Sequence, residues 1–327
     1  MRLGVRAAAP CLSLGTSVIP QKWVPPARAT GYDCSRWQTP SRGCSMLQEH
    51  HYDGKFFWPE GYRTAVVLTL DFQGGEDVRP LPDGTMDHEE WTQCEYGPHT
   101  GIWRILRILK EEKIKITFNT CGGIAERFPE AVKAIVDQGH EIAGHGYHHE
   151  TARDLTREQE WDVMKRTTEM IRNRTGHTPI GWRSCTQSPN SIELLMEHGY
   201  LWNSNSFSHD LPFLWESNGR YLVELPRQPY GDGRTYAHRN NDAGNPHDTM
   251  IVWKSMFDEF YEESKSVATY VPFQIHCYIS GRPGRAAALR STIRHMKKEG
   301  VWITTATDVA RWTRDHVFKL GRQDAAE

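Results

Sequence analysis

The chain has 327 residues, with 39 Lys and Arg against 41 Asp and Glu and a net charge of −2. That balance excludes a strongly basic nucleic-acid binder. With 38% hydrophobic residues and 11% aromatics the chain is not globally disordered, and no apolar run approaches the roughly 20 residues of a membrane span. Cys11, Cys34, Cys44, Cys94, Cys121, Cys185 and Cys277 are scattered and form no C-x-x-C pair. An odd, dispersed set opposes a disulfide framework and fits a reducing, cytoplasmic compartment. No fixed-period repeat is visible, which opposes a solenoid.

Residues 1–45 differ from the rest. Arg2, Arg6, Lys22, Arg28, Arg36 and Arg42 stand against the single acid Asp33, and five prolines interrupt any long helix. The segment is expected to be a disordered extension or a mis-assigned start, with Met46 as the alternative first residue. A single domain is expected over residues 46–327.

In the body, Ala65–Leu70 is a short apolar, β-branched run and reads as a buried strand ending at Asp71. Glu76–Thr100 is polar and reads as a loop. Ile102–Glu112 has helical apolar spacing, and Ile114–Phe118 reads as a strand. Pro129–Gln138 is a helix stopped by Gly139, followed by a short strand at His140–Ala143. Thr156 and Gln159 form a capping-box pattern that opens the next helix. Ile180–Trp182 and Leu201–Asn203 read as strands on either side of a Ser191–His198 helix. Gly231–His247 reads as loop and Phe257–Ser264 as helix. Tyr270–His276 and Val301–Thr304 are the last strands, separated by a helix over Ala287–Glu299. This β-α alternation implies an α/β fold, a distorted (β/α) barrel of about seven parallel strands.

In such folds the reactive groups stand at the C-terminal ends of the strands. Asp71, Asn119, His145, His148, His149, Arg183 and His276 all fall at those ends. His145 and His149 are four apart, so one helical turn would put both imidazoles on one face, a ligand spacing for zinc. A catalytic zinc takes three protein ligands and keeps one position open; Asp71 is the natural carboxylate. The alternative is a surface loop that is merely His-rich. Arg183 would orient a carboxylate or bind an anionic group. A titratable His276 at the end of an apolar strand is costly unless paired or functional. Asn203, Asn205, His209 and Asp210 follow a strand and are candidates to shape a pocket. Arg282 and Arg285 are candidates for substrate or subunit contact.

Five stretches carry a family resemblance: LTLDFQGGED (Leu68–Asp77), TFNTCGGIAERFPE (Thr117–Glu130), GHEIAGHGYHHE (Gly139–Glu150), GWRSCTQSPN (Gly181–Asn190) and FQIHCYISGRPGR (Phe273–Arg285). In order and spacing the chain resembles the polysaccharide deacetylase (NodB-homology, carbohydrate esterase 4) superfamily. It looks closest to a branch of peptidoglycan deacetylases, cyclic imide hydrolases and metal-independent allantoinases. The resemblance implies hydrolysis of a C–N bond with one divalent metal, usually zinc. It implies Asp71 as base, His145 and His149 as metal ligands, Arg183 holding the base and His276 as general acid. It also implies homo-oligomerisation, which is frequent in this branch.

One position departs from that pattern. The first motif normally supplies a second aspartate to the metal, where this chain has Gln73. Asp71 then serves as ligand, or Glu76 or Asp77 replaces the missing carboxylate, or the metal is weak or absent. The expected chemistry is hydrolysis of a non-peptide amide, with Asp71 activating water and His276 protonating the leaving nitrogen. A small cyclic amide, imide or ureide is the first expectation for the substrate and an N-acetyl sugar the second. A barrel that binds its ligand without turnover, with Asn205, Asp210 and Arg282 as substrate contacts in either case, is the third reading.

Overall fold

The molecule is seen here as a computed structural model, which describes residues 47–236 and 245–320. The extension expected over residues 1–45 lies outside the described residues. The strands among them are β1 (Gln48–His50), β2 (Thr64–Phe72), β3 (Thr117–Thr120), β4 (Glu141–Gly144), β5 (Gly181–Trp182), β6 (Trp202–Asn203), β7 (Phe213–Ser217), β8 (Arg220–Glu224), β9 (Thr269–His276) and β10 (Val301–Thr304).

β2 is the spine. All nine of its residues are buried, as a strand covered on both faces must be. β9 pairs with it in parallel along Thr64–Asp71. The opposite edge is shared: β10 takes Thr64–Val67 and β3 takes Thr69–Phe72. Parallel pairing continues through β4, β5 and β6 to β8. Side chains alternate along β2. Val66, Leu68, Leu70 and Phe72 enter the larger core with the helix Ile102–Glu112. Ala65 and Val67 enter a second core with Trp202, Leu214, Val223 and Tyr270. Thr69 and Asp71 continue that inner face, so it is apolar at the base and polar at the C-terminal rim.

The fold is α/β with a mostly parallel central sheet of the expected kind, but the sheet is not closed. β7 and β8 form an antiparallel hairpin. Its central residues Asn218 and Gly219 have φ of 53° and 73°, the left-handed pair of a type I′ turn. The hairpin returns the chain into the same sheet, where β7 occupies the outer edge of β8 and β1 pairs with β7. Among the described residues β9 pairs with β2 alone, so the ring stays open.

Three segments differ from the sequence reading. Glu76–Thr100 contains the helix His88–Tyr96, whose N-cap Asp87 accepts from the Glu90 amide; its polar exterior hides the periodicity. The helix expected at Phe257 begins at Pro246 behind the cap Asn245. Part of Gly231–His247 is a helical turn, Asp232–Thr235. The Thr156–Gln159 capping box is present, and the helix Arg157–Thr175 ends at a left-handed Gly176. No helix among the described residues is long and apolar enough to cross a membrane.

β5 has room for only two residues, and one must be glycine. A Cβ on Gly181 would lie 1.9 Å from the indole of the fully buried Trp202. Gly181→Ala is expected to destabilise the domain by about 1–3 kcal/mol through overpacking, read as a lower urea midpoint at unchanged slope.

Candidate active site

Strand register builds the centre. Asp71 stands directly opposite His276 of β9 and Asn119 of β3. His145 follows the last residue of β4, and Arg183 follows β5, because Gly144 and Trp182 are in register. The cluster expected at the strand ends is therefore assembled at one rim.

Asp71 is buried, and the Asn119 and Gln274 amides and the Arg183 guanidinium favour its charge. Asn119 Nδ2 donates to Oδ1 at 2.7 Å, and Gln274 Nε2 donates to Oδ2. Arg183 Nε lies 3.4 Å from Oδ2, His276 Nε2 3.8 Å and His145 Nε2 3.9 Å. Burial alone would raise its pKa, but the Arg183 guanidinium foremost, with His276 and the Asn119 hydrogen bond, outweighs it and holds the carboxyl well below the usual range. Arg183 is 1% exposed and also donates from Nη1 to Thr69 Oγ1 at 3.1 Å, so the inner face of β2 fixes its orientation.

His276 has a partner that the sequence reading did not identify. Asp232 accepts from the His276 backbone N–H at 2.7 Å and from Nδ1 at 2.6 Å. A carboxylate only accepts, so the proton is on Nδ1 and Nε2 faces Asp71. Ser280 Oγ also donates to Asp232. Burial lowers the pKa of His276, yet the carboxylates of Asp232, Asp71 and Asp77 overcome this and raise it. Asp232 sits in a Gly-rich segment 44 residues from its partner, with no local signal to tie the two together.

His145 and His149 are brought together by a turn, not by the expected helical face. The chain doubles back through Gly146 at φ 80°, and His149 itself is left-handed at φ 52°. Glu150 holds the turn by accepting from the Tyr147 and His148 amides. The two imidazoles lie 4.8 Å apart, centroid to centroid. A non-glycine residue held left-handed is a local strain kept by its surroundings.

The donors at this turn fit a divalent cation. His145 Nδ1 donates to the Arg183 carbonyl at 2.6 Å, which leaves Nε2 with a lone pair when the ring is neutral. Burial keeps the ring on the neutral side. That lone pair faces Gln73 Oε1 at 3.1 Å. The amide cannot profitably flip, because Gln73 Nε2 donates to Asp77 at 2.7 Å. Two lone pairs thus face one another, and His149 Nδ1 is buried without a hydrogen-bond partner among the described residues; burial pushes its pKa down to about 3. A cation between His145 Nε2 and Gln73 Oε1 would satisfy both atoms. Glu76 is engaged elsewhere, by Arg127 and His148, whereas Asp77 stands directly behind Gln73.

A cavity of about 400 Å³ opens over these groups. Asp71, His145, Arg183 and His276 lie at its floor, and Phe207 and Arg227 are in its wall. Three expected substrate contacts are placed elsewhere. Asn205 braces Ser184 through its backbone N–H and carbonyl. Asp210 accepts from Gln228 on the exterior. Arg282 stacks on Tyr96 at 3.7 Å. His209 packs against His51, the rings tilted and 4.1 Å apart between centroids. Cys121 is buried, as expected, but Cys185 is exposed and lines the cavity.

Comparison with known proteins agrees with this architecture. Residues 91–200 match the Polysaccharide deacetylase family model, a span that includes His145, His149 and Arg183 and stops short of Asp71 and His276. A peptidoglycan deacetylase of Helicobacter pylori is 30% identical over 73% of this chain and 90% of its own length. A peptidoglycan deacetylase-like protein of Gibberella zeae is 33% identical over 75% of this chain and 84% of its own. The crystal structure of Puue allantoinase superposes with a TM-score of 0.73 at 28% identity, covering 80% of this chain and 93% of that one. On the breadth of these matches, the chain belongs to the polysaccharide deacetylase family and is a hydrolase of carbon–nitrogen bonds in amide or N-acetyl groups.

Proposed function

We propose that this chain hydrolyses the amide of a small polar ring, a cyclic amide, imide or ureide. The observation that carries the reading is the Asp71–His276 pair, side by side at the floor of a cavity of about 400 Å³. That volume lies toward the small end of ligand sites. Gln73, His145, His149 and Asp71 would hold a divalent cation, which when bound supplies polarisation of the scissile carbonyl. Asp71, ionised across the working range, orients the attacking water and takes its proton. A carboxylate held so low is a modest base, so the transfer relies on placement. Arg183 keeps Asp71 from turning away. His276, protonated and aligned by Asp232, delivers a proton from Nε2 to the departing nitrogen. Opposed environments thus set one group as base and the other as acid.

A second reading, removal of an N-acetyl group from a peptidoglycan sugar, is favoured by the two relatives bearing that name. Incubation with hydantoin, succinimide and allantoin beside N-acetylglucosamine oligomers separates the two. Ring opening supports the first reading, and release of acetate from the oligomers alone replaces it with the second.

Asp71→Asn is expected to lower kcat by about 10²–10⁴-fold with an unchanged circular dichroism spectrum. Near-wild-type turnover would remove Asp71 from the mechanism. Asp232→Asn removes the charge that raises the pKa of His276. The acid is then lost at lower pH, so the alkaline limb of the kcat/KM profile should move down. An unmoved limb would assign it to another group. Zinc affinity measured by competition with a chelator should rank Gln73→Asp above wild type and wild type above His149→Ala, since an added anionic ligand tightens the site and a lost imidazole opens it. Equal affinities would place the metal elsewhere.

A further inference from the structure

Arg227 follows β8, at the same rim as the catalytic cluster. Its backbone N–H donates to the Ser206 carbonyl at 2.8 Å, extending the ladder that Leu225 makes with Asn203. The side chain enters the cavity wall. Its guanidinium lies over the Phe207 ring at 4.5 Å. Nε is buried and has no hydrogen-bond partner among the described residues.

The nearby acids are already engaged. Glu224 takes the backbone N–H groups of Asn205 and Ser206 on Oε1, and Asn203 Nδ2 and Trp215 Nε1 on Oε2. Asp71 is held by Asn119, Gln274 and Arg183. Burial and the neighbouring Arg183 push the Arg227 pKa down to about 9, which still leaves it charged near neutrality. A guanidinium desolvated in this way is costly without an anion.

We propose that Arg227 is an anion clamp that binds a carboxylate carried by the substrate beside its scissile amide. The proposal names the substrate class of the site above and rests on that reading. Planar guanidinium and carboxylate pair through parallel hydrogen bonds, and Phe207 fixes the plane. Two sources share this chemistry: an acidic side arm on a small ring, and the lactyl acid of a peptidoglycan sugar.

The test is calorimetric binding with two matched pairs: hydantoin-5-acetate against hydantoin-5-acetamide, and N-acetylmuramate against N-acetylglucosamine. The anionic member of one pair should bind at least about tenfold more tightly, the scale of a charge-assisted contact, and the pair that shows it identifies the source. Arg227→Gln should erase the preference and Arg227→Lys should keep part of it. The melting temperature of Arg227→Met should equal or exceed that of wild type, because a buried charge without a partner adds nothing to the fold. Absence of preference in both pairs, or a preference that survives Arg227→Gln, overturns the proposal. So does a drop in melting temperature shared by Arg227→Lys and Arg227→Met, which would assign the residue to the fold. Binding needs no turnover, so failure to hydrolyse any amide would sink the reading above and leave the clamp standing.

Discussion

A single buried carboxylate organises this molecule. Asp71 stands near the end of the central strand, 2% exposed in the lining of the cavity, where an isolated charge would cost several kcal/mol. It remains charged because three strands converge on it: β3 brings Asn119, β9 brings Gln274 and His276, and the end of β5 brings Arg183. Arg183 is equally buried, and its charge is stabilised by Asp71 in turn. Neither ion is tolerable without the other. The sheet order and the site are therefore a single constraint, since any register slip along β2 would separate the pair.

Around that pair the charges are distributed by role. The Asp232–His276 couple carries a proton next to a carboxylate that refuses one. On the other side, Gln73 presents a neutral amide, and the negative charge stands behind it on Asp77, four residues on, which the same amide grips. Gln73 Oε1 offers His145 a lone pair without formal charge.

Much of this was legible in the sequence, and for identifiable reasons. The apolar β-branched run before Asp71 and the strand before His276 have a clear period, and placing reactive groups at strand ends located Asp71, His145, Arg183 and His276. The pairing of His145 with His149 was legible from spacing, but its geometry was not: Gly146 and a left-handed His149 make a turn where four-residue spacing suggests a helix. Asp232 and Arg227 were missed because their roles come from contacts between distant segments. Arg227 lies just past a hairpin whose Asn218-Gly219 turn is a sequence signal in its own right, and that turn also explains why the ring does not close. Asn205, Asp210 and Arg282 were reasonable by loop position, yet each is occupied by a local partner.

The direct register of Asp71 with His276 has a consequence for how such a catalyst can diversify. Adjacent parallel strands lie about 4.8 Å apart, a spacing set by backbone hydrogen bonds and insensitive to sequence. The backbone separation of Asp71 and His276 is thus a constant of peptide geometry, kept wherever β2 lies beside β9. The ladder fixes that spacing, while cavity-lining residues beyond the strand ends, such as Phe207 and Arg227, can change without altering it.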